Sequence, residues 1–313
     1  MSTLELQAVS RWFGNVVAVN DVTMTIGPGI TGLLGPNGAG KSTLIHMMGG
    51  FLPPSAGTVT LDGDPVWRNE QVYRRIGLVP EREAMYEAVS GYDFVLANAR
   101  LHRLPDPGAA ARRAIDTVEM ADAETRSIAT YSKGMKQRIK MATALVHDPP
   151  VLLLDEPFNG MDPRQRLQLM DLLRSMGEQG RTVLFSSRIL EEVEHIATDV
   201  QVVVAGRHAA SGDFREIRRR MTERPHQYTI RSDDDRALAA AVMADASVSS
   251  VQLVAVPDGD GGPAGHALHV EATDVAAFWR LLPQAARRHG IRLYEARPTD
   301  ESLESVFSYL VAR

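Results

Sequence analysis

Short apolar runs alternate with longer polar segments along the first two thirds of the chain. The clearest runs cover residues 30–34, 151–154 and 182–185, and each leads into a stretch rich in glycine, carboxylates or serine. Continuous apolar runs of this length are typical of strands buried in a parallel sheet. An apolar helix start follows the first run and a long helical region precedes the second, so the pattern predicts an α/β core.

The pattern becomes helical over residues 85–147, with one break at residues 105–108. Within this region Ser132 precedes an amphipathic stretch that ends near His147, and serine is a favourable helix N-cap. We therefore predict a helical subdomain, at about residues 85–148, inserted into the α/β core. After it, a strand at residues 200–205 is expected to complete the core.

The composition shifts near Arg220, where strand-like and helix-like segments follow one another in a new order. That order, β-α-β-β-α-β, is the one of a small ferredoxin-like α+β domain. The chain of 313 residues is also long for one core, so a first domain at residues 1–220 and an accessory domain at residues 221–313 are expected. The predicted elements of the second domain are residues 228–230, 235–243, 251–256, 267–270, 275–288 and 291–295.

The overall composition excludes several classes of protein. No apolar run approaches the roughly 18 residues that a transmembrane helix needs, and residues 1–5 lack the features of a signal peptide, so a cytoplasmic protein is expected. The absence of cysteine excludes disulfides and thiolate metal sites. With 39 acidic and 34 basic side chains, the net charge of −5 argues against a nucleic-acid partner.

A glycine-rich stretch at residues 35–43 lies between an apolar strand and the apolar start of a helix. In this context the pattern G-x-x-x-x-G-K-S predicts a phosphate-binding loop, because backbone N–H groups and the positive end of the helix surround an anion. Lys41 is expected to reach the β- and γ-phosphates of a nucleotide, and the Ser42 hydroxyl to bind the bridging Mg²⁺. The residues assigned to nucleotide binding here are Gly35, Asn37, Gly38, Ala39, Gly40, Lys41, Ser42 and Thr43.

Two carboxylates follow the apolar run at residues 151–154, at the strand end where α/β sheets place their ligands. Asp155 is expected to face the Mg²⁺ shell, and Glu156 to accept a proton from an attacking water. Two aromatic residues, Trp12 and Phe13, lie between the strands predicted at residues 4–9 and 16–26, ahead of the phosphate-binding loop. Their position alone leaves two interpretations open, a place in the core or a stack against adenine.

In their order along the chain, these motifs resemble those of the nucleotide-binding subunits of ABC transporters that export drugs, antibiotics or polysaccharides. The resemblance covers nearly the whole chain, including the tail at residues 301–307. Its motifs are the Walker A loop at residues 35–43, the signature segment at 131–138, Walker B at 151–157 and the D-loop at 159–162.

The resemblance implies a head-to-tail dimer, with an identical or a related subunit. ATP would lie between the phosphate-binding loop of one subunit and Ser132 and Gly134 of the other. Phe13 falls at the adenine-stacking position, with Trp12 as its rival. Residues 82–96 would contact a coupling helix of a separate membrane permease, which would place the protein at the inner face of the plasma membrane.

Two residues depart from the family pattern at positions where the resemblance implies contact with the γ-phosphate. Glu81 replaces the usual glutamine, and Arg188 replaces the usual switch histidine. A carboxylate is a harder Mg²⁺ ligand but adds negative charge, whereas arginine stays charged and does not exchange protons at neutral pH. We therefore predict Glu156, Arg188 and Glu81 as catalytic residues, Ser42, Glu81 and Asp155 as Mg²⁺ ligands, and Glu81 with Arg188 as a compensating pair.

Two functions remain open from the sequence. The first is an ATPase subunit that energises export through the permease, and the intact Asp155 and Glu156 favour it. The second is an ATP-gated, dimerising regulatory module with slow or no hydrolysis, which Glu81 and Arg188 favour. A third, an ABC-type ATPase acting on DNA or ribosomes, is disfavoured by the acidic charge and the single phosphate-binding loop.

Overall fold

The computed structural model describes residues 2–82, 85–213, 225–256 and 265–298, which separate into two compact units. The described part of the first unit ends at Asp213, and that of the second begins at Pro225. The predicted domain boundary at residues 220/221 and the tail motif at residues 301–307 lie outside the described residues.

Ten strands form two sheets among the described residues of the first unit. They are β1 (Leu4–Phe13), β2 (Val16–Ile26), β3 (Gly29–Leu34), β4 (Ala56–Leu61), β5 (Asp64–Pro65), β6 (Ile76–Val79), β7 (Val151–Leu154), β8 (Thr182–Ser187), β9 (Asp199–Val204) and β10 (Arg207–Gly212). An antiparallel sheet has the order β2-β1-β4-β5, and a six-stranded sheet has the order β10-β9-β3-β8-β7-β6. Strands β9, β3, β8, β7 and β6 are parallel, so the predicted α/β core is confirmed.

Seven α-helices lie among the described residues of the first unit. They are α1 (Lys41–Met48), α2 (Glu70–Tyr73), α3 (Gly91–Leu101), α4 (Pro107–Thr117), α5 (Lys133–Leu145), α6 (Pro163–Glu178) and α7 (Leu190–Ile196). Helices α3, α4 and α5 occupy the segment predicted to be a helical subdomain. The predicted N-cap of α5 is also present, because the Ser132 side chain accepts a hydrogen bond from the backbone N–H of Met135.

The parallel sheet explains how distant motifs meet. Every residue of β7 is fully buried, as its continuous apolar sequence predicts. Strand β8 lies between β3 and β7 with Leu34 opposite Ser187 and Leu154 opposite Phe185, so the three strands end at one edge. The phosphate-binding loop follows β3, the Walker B carboxylates follow β7, and residues 186–188 lie at the end of β8.

The structure corrects three expectations about the first unit. Strand β10 pairs with β9, so the predicted strand at residues 200–205 does not complete the sheet. The residues of β10 alternate between exposed and half-buried at the edge of the sheet, so this segment has no apolar run that would predict a strand. Helix α6 was not predicted, and Trp12 and Phe13 lie within β1 instead of between strands, because the β1–β2 hairpin continues to the Phe13–Val16 pair.

The second unit has the predicted ferredoxin-like order. Its elements are β11 (His226–Ser232), α8 (Asp235–Met243), β12 (Val248–Val256), β13 (Gly265–Ala272), α9 (Val275–His289) and β14 (Leu293–Pro298). The sheet is antiparallel with the order β12-β13-β11-β14, and its core includes Tyr228, Ile230, Leu268 and Phe278. Each helix begins at an aspartate cap, Asp234 or Asp274, whose side chain accepts a backbone hydrogen bond.

Among the described helices of both units, none combines the length and the apolar character that crossing a membrane requires.

Candidate functional site

The glycine-rich loop joins β3 to α1 through backbone conformations that favour glycine. Gly38 and Gly40 have φ angles of +78° and +102°, and a Cβ on Gly40 would lie 2.5 Å from the Ala18 carbonyl oxygen. Helix α1 begins at Lys41 without a side-chain cap. The N–H groups of its first turn therefore have no partner from a capping side chain, which is the arrangement that binds an anion.

Lys41 is held in the fold before any ligand is considered. Its side chain is buried, and Nζ donates to the carbonyl oxygens of Gly35 at 2.6 Å and Pro36 at 3.3 Å. Burial lowers the pKa of Lys41, while the nearby carboxylates of Glu156 and Asp155 act in the opposite direction. The two carbonyls and the two carboxylates compensate the buried positive charge.

Asp155 is 1% exposed and has one oxygen with a partner and one without. Its Oδ1 accepts from the Ser186 hydroxyl at 2.6 Å, whereas Oδ2 is buried with no hydrogen-bond partner within the described part of the chain. A buried carboxylate oxygen is costly unless a donor or a cation compensates it. The orphaned oxygen therefore fits a cation site.

A hydrated Mg²⁺ matches the hard oxygen donors of Ser42, Glu81 and Asp155. Mg²⁺ in nucleotide sites typically takes one or two carboxylates together with phosphate oxygens and water. In the described ranges no group of three or more His, Cys, Asp or Glu side chains could hold a metal ion. Ser42, Glu81 and Asp155 would supply a part of a metal shell, with phosphate oxygens and water as the other ligands, and their assignment to Mg²⁺ stays a prediction.

Glu156 lies next to Asp155 in a strained, largely buried turn. Its φ is +49°, in the left-handed region, and its backbone N–H donates to the Ser186 hydroxyl at 2.8 Å. Burial raises the pKa of Glu156, and the positive charges of Arg188 and Lys41 oppose that shift. A raised pKa suits a carboxylate that accepts a proton during a reaction.

Arg188 connects the two predicted catalytic carboxylates. Its Nε lies 3.1 Å from Oε1 of Glu156, and its Nη2 lies 3.8 Å from Oε1 of Glu81. Glu156 is mostly buried in this ion pair, whereas the side chains of Arg188 and Glu81 are 43% and 46% exposed. The contact with Glu156 is therefore shorter and less screened than the contact with Glu81.

The position of Glu81 depends on the helical subdomain. It follows β6 by two residues, and Nζ of the buried Lys140 on α5 donates to the carbonyl oxygens of Pro80 at 2.9 Å and Glu81 at 3.3 Å. Sequence reasoning gave Lys140 no role, and it missed Ser186, whose hydroxyl contacts both Asp155 and Glu156. A polar residue at the end of β8, beside β7 in the parallel sheet, was the available signal for Ser186.

An open cleft of about 360 Å³ lies at this site. Its lining includes residues 36–43, Glu81, Glu156 and Arg188, and residues 16–18 of β2 form an apolar wall. The cleft thus brings together the loop, a buried lysine and two carboxylates from separate parts of the chain.

Four predicted nucleotide contacts, Gly35, Phe13, Ser132 and Gly134, are not among the residues that line this cleft. Phe13 ends β1, is 44% exposed, and has the Arg11 guanidinium 4.7 Å from its ring centroid. Ser132 caps α5, and Gly134 faces Gln165 so closely that a Cβ would lie 2.0 Å from the Gln165 Oε1 atom. The role of Phe13 in stacking, and those of Ser132 and Gly134 in ATP binding, stay predictions.

A parallel sheet that ends in a glycine-rich anion loop, with a lysine and paired carboxylates at the same edge, defines a P-loop nucleotide-binding protein. A family model described as ABC transporter matches residues 19–159. The daunorubicin/doxorubicin resistance ATP-binding protein of Streptomyces peucetius is 30% identical over 308 residues, which cover 97% of this chain and 91% of that protein. The chain belongs to the ABC transporter family, as an ATP-binding subunit of the drug-resistance and export type.

Two further comparisons agree with this assignment. The Nod factor export ATP-binding protein I of Paraburkholderia xenovorans is 35% identical over 218 residues, covering 67% of this chain and 71% of that protein. The solved structure of cbiO1 from Clostridium perfringens, part of the ABC transporter complex cbiONQ, has a TM-score of 0.60 at 26% identity. It covers 70% of this chain and 96% of its own.

Proposed function

We propose that this chain binds Mg·ATP, hydrolyses it within a dimer of ATP-binding subunits, and energises export through a separate membrane permease. The observation that carries the proposal is the cleft in which Lys41, Glu156 and Arg188 meet the glycine-rich loop, beside the orphaned oxygen of Asp155. The names of the relatives favour a transport subunit over a regulatory module.

Each residue of the cleft has a separate task in this proposal. The loop N–H groups and Lys41 bind the phosphates, and Ser42, Asp155 and Glu81 hold Mg²⁺, which when bound offsets the negative charge of the phosphates. Glu156 orients the attacking water and accepts its proton. In the nucleotide-free chain the guanidinium of Arg188 contacts Oε1 of Glu156, so Glu156 acts as a base only after this contact loosens.

A γ-phosphate supplies a reason for the contact to loosen. Phosphate oxygens bind guanidinium in bidentate fashion, so a nucleoside triphosphate in the cleft competes with Glu156 for Arg188. Arginine at this place holds the phosphate but exchanges no proton at neutral pH. Turnover is therefore expected to be slower than with histidine at the same position.

The dimer follows from where the signature residues lie. Ser132 and Gly134 are on the helical subdomain and do not line the cleft of their own chain, so a second subunit, identical or related, would supply them. The permease is inferred from the relatives, which include an export ATP-binding protein and a cassette that is part of an ABC transporter complex. In this arrangement the protein acts at the inner face of the plasma membrane.

Replacing Glu156 by glutamine tests the proposal. Glu156→Gln keeps the shape of the side chain but removes the base, so it should bind Mg·ATP, lose more than about a hundredfold of the ATPase rate, and accumulate as an ATP-bound dimer. Size-exclusion chromatography with light scattering measures the dimer, and phosphate release measures the rate. The exposed Glu178→Gln is the matched control and should behave as the parent protein.

Two results would contradict the proposal. One is a Glu156→Gln protein that hydrolyses ATP at the parental rate. The other is a protein that binds ATP yet stays monomeric at millimolar Mg·ATP, both alone and with the permease encoded beside it.

A further inference from the structure

A buried carboxylate outside the cleft contacts the segment that carries Arg188. Glu192, in α7, is 5% exposed, and burial raises its pKa against the attraction of Ser187 and Arg166. Its Oε2 accepts from the Ser187 hydroxyl at 2.5 Å, and its Oε1 lies 3.4 Å from Nε of Arg166. Burying a charge in this way is costly, and no step of the proposed hydrolysis uses Glu192.

The hydroxyl of Ser187 fixes the turn on both sides of Arg188. Ser187 Oγ accepts from the backbone N–H of Ile189 at 2.9 Å while it donates to Glu192. A hydroxyl has one proton to donate, and its other possible acceptor, the Ile189 carbonyl, lies farther away at 3.2 Å. The carboxylate of Glu192 therefore orients the hydroxyl that holds the residues before and after Arg188.

The other end of this contact chain lies beside the D-loop. Arg166 is in the first turn of α6, where its backbone N–H donates to the Asp162 carbonyl at 2.9 Å. Asp162 is both the last D-loop residue and the cap of α6, because its side chain accepts from the N–H of Gln165. A movement of the D-loop would thus displace Arg166 and, through Glu192, the turn that carries Arg188.

We propose that Arg166, Glu192 and Ser187 are positioning residues that link the D-loop to Arg188 and thereby set when Glu156 is released. The inference rests on the proposed ATPase function, and it assigns a role to three residues that touch neither nucleotide nor metal. It explains why a carboxylate is buried at this place, with a hydroxyl on one oxygen and an arginine near the other.

Steady-state kinetics test the effect on turnover. Glu192→Gln and Ser187→Ala should lower kcat by roughly 10- to 100-fold, because misplacing a catalytic group costs that much, and should leave KM for ATP within about twofold. Glu191→Gln, on the exposed side of the same helix, is the matched control and should retain the parental kcat. The double variant Arg166→Gln with Glu192→Gln should be no slower than Glu192→Gln alone, because both changes break the same link.

The number of nucleotide-binding sites shows whether a lower rate comes from misplaced residues or from a smaller fraction of folded protein. A fluorescent ATP analogue measures the number of sites, and a purely structural defect lowers that number while kcat per site stays constant. An unchanged kcat per site in Ser187→Ala would overturn the inference.

A second measurement does not depend on hydrolysis. Phenylglyoxal modifies accessible arginines, and peptide mass spectrometry reports the rate at Arg188 in the nucleotide-free protein. The rate should rise in Glu192→Gln and Ser187→Ala but not in Glu191→Gln. An unchanged rate would refute the positioning role even if the parent protein proved to be no ATPase, whereas failure of ATPase activity alone would refute the proposed function.

Discussion

The two units of this chain bury very different kinds of side chains. In the first unit, Lys41, Lys140, Asp155, Glu156 and Glu192 are all less than 9% exposed. Among the described residues of the second unit, the buried polar side chains are the uncharged Thr229 and Ser247. The charged side chains described in the second unit are exposed or half-buried, as in the Arg297–Glu295 ion pair.

This difference indicates that the first unit carries the functional site and that the second unit is an apolar scaffold. Buried charges destabilise a fold unless partners compensate them, so they persist mainly where chemistry or binding needs them. In the first unit the buried charges lie at the cleft or contact residues that position the cleft. The negative charge of Asp155 has no partner at Oδ2, so a bound ligand would complete its compensation. The second unit has an ordinary apolar core, which fits an accessory domain.

The largest expected effect comes from removing the buried lysine. Lys41→Ala should abolish measurable nucleotide binding, a loss of about a thousandfold or roughly 4 kcal/mol, because Lys41 is the one lysine of the described residues that lines the cleft. Fluorescence titration with an ATP analogue measures the affinity. Arg288→Ala, an exposed cation of the second unit, is the control, and parental affinity in Lys41→Ala would show that the cleft is not the phosphate site.

Truncating the core of the second unit tests whether the units are independent. Phe278 is fully buried against Tyr228, and Phe278→Ala should destabilise that unit by about 3–5 kcal/mol. Nucleotide affinity should stay at the parental value if the first unit folds by itself. Calorimetry with and without Mg·ATP resolves the two transitions, and a matching loss of affinity would mean that the site depends on the second unit.

A histidine pair outside the cleft gives the first unit a pH-dependent stability. The rings of His102 and His147 stack at 3.8 Å, and burial, with a smaller effect of His102, lowers the pKa of His147 from 6.5 to about 4. Arg74 faces His102, and Asp148 lies close to His147. Between pH 6.5 and about pH 4 the unfolded chain therefore binds more protons than the folded chain. The free energy of unfolding should fall as the pH falls through this range.

The magnitude and the control follow from the same shift. Between pH 7 and pH 5 the loss should be roughly 2 kcal/mol, and His147→Gln should remove most of it. His269→Gln, at an exposed position of the second unit, should leave the pH dependence unchanged. Thermal unfolding of the first unit at pH 7 and at pH 5 measures this loss of stability. An equal loss in the parent protein and in His147→Gln would contradict the prediction.

The smallest effect concerns Glu81 and Arg188. Their 3.8 Å contact would give roughly 4 kcal/mol at an effective dielectric of 20, but exposure of both side chains reduces the expected coupling to about 0.5–1 kcal/mol. A double-mutant cycle with Glu81→Gln and Arg188→His, read as ATP affinity and turnover, measures it. The exposed pair Glu295→Gln and Arg297→His should affect neither, and additive effects at the cleft would show that Glu81 and Arg188 act independently.

Much of the architecture was predictable because its signals are local. The buried strand β7, the Ser132 cap and the glycine-rich loop depend on residues within a few positions of one another. The ferredoxin-like order was readable for the same reason. The edge strand β10 was missed because pairing with β9, and not an apolar face, makes it a strand.

The sequence by itself determined the class of site. The loop at residues 35–43 and the pair Asp155–Glu156 each follow a buried parallel strand, and in that position they indicate a nucleotide-binding site. Only the tertiary structure decided which charges meet. Arg188 lies 32 positions from Glu156, and its closest carboxylate is Glu156 instead of the predicted partner Glu81. Such distances depend on how β7 and β8 align and on how α6 packs against α7, which are long-range contacts that no local pattern specifies.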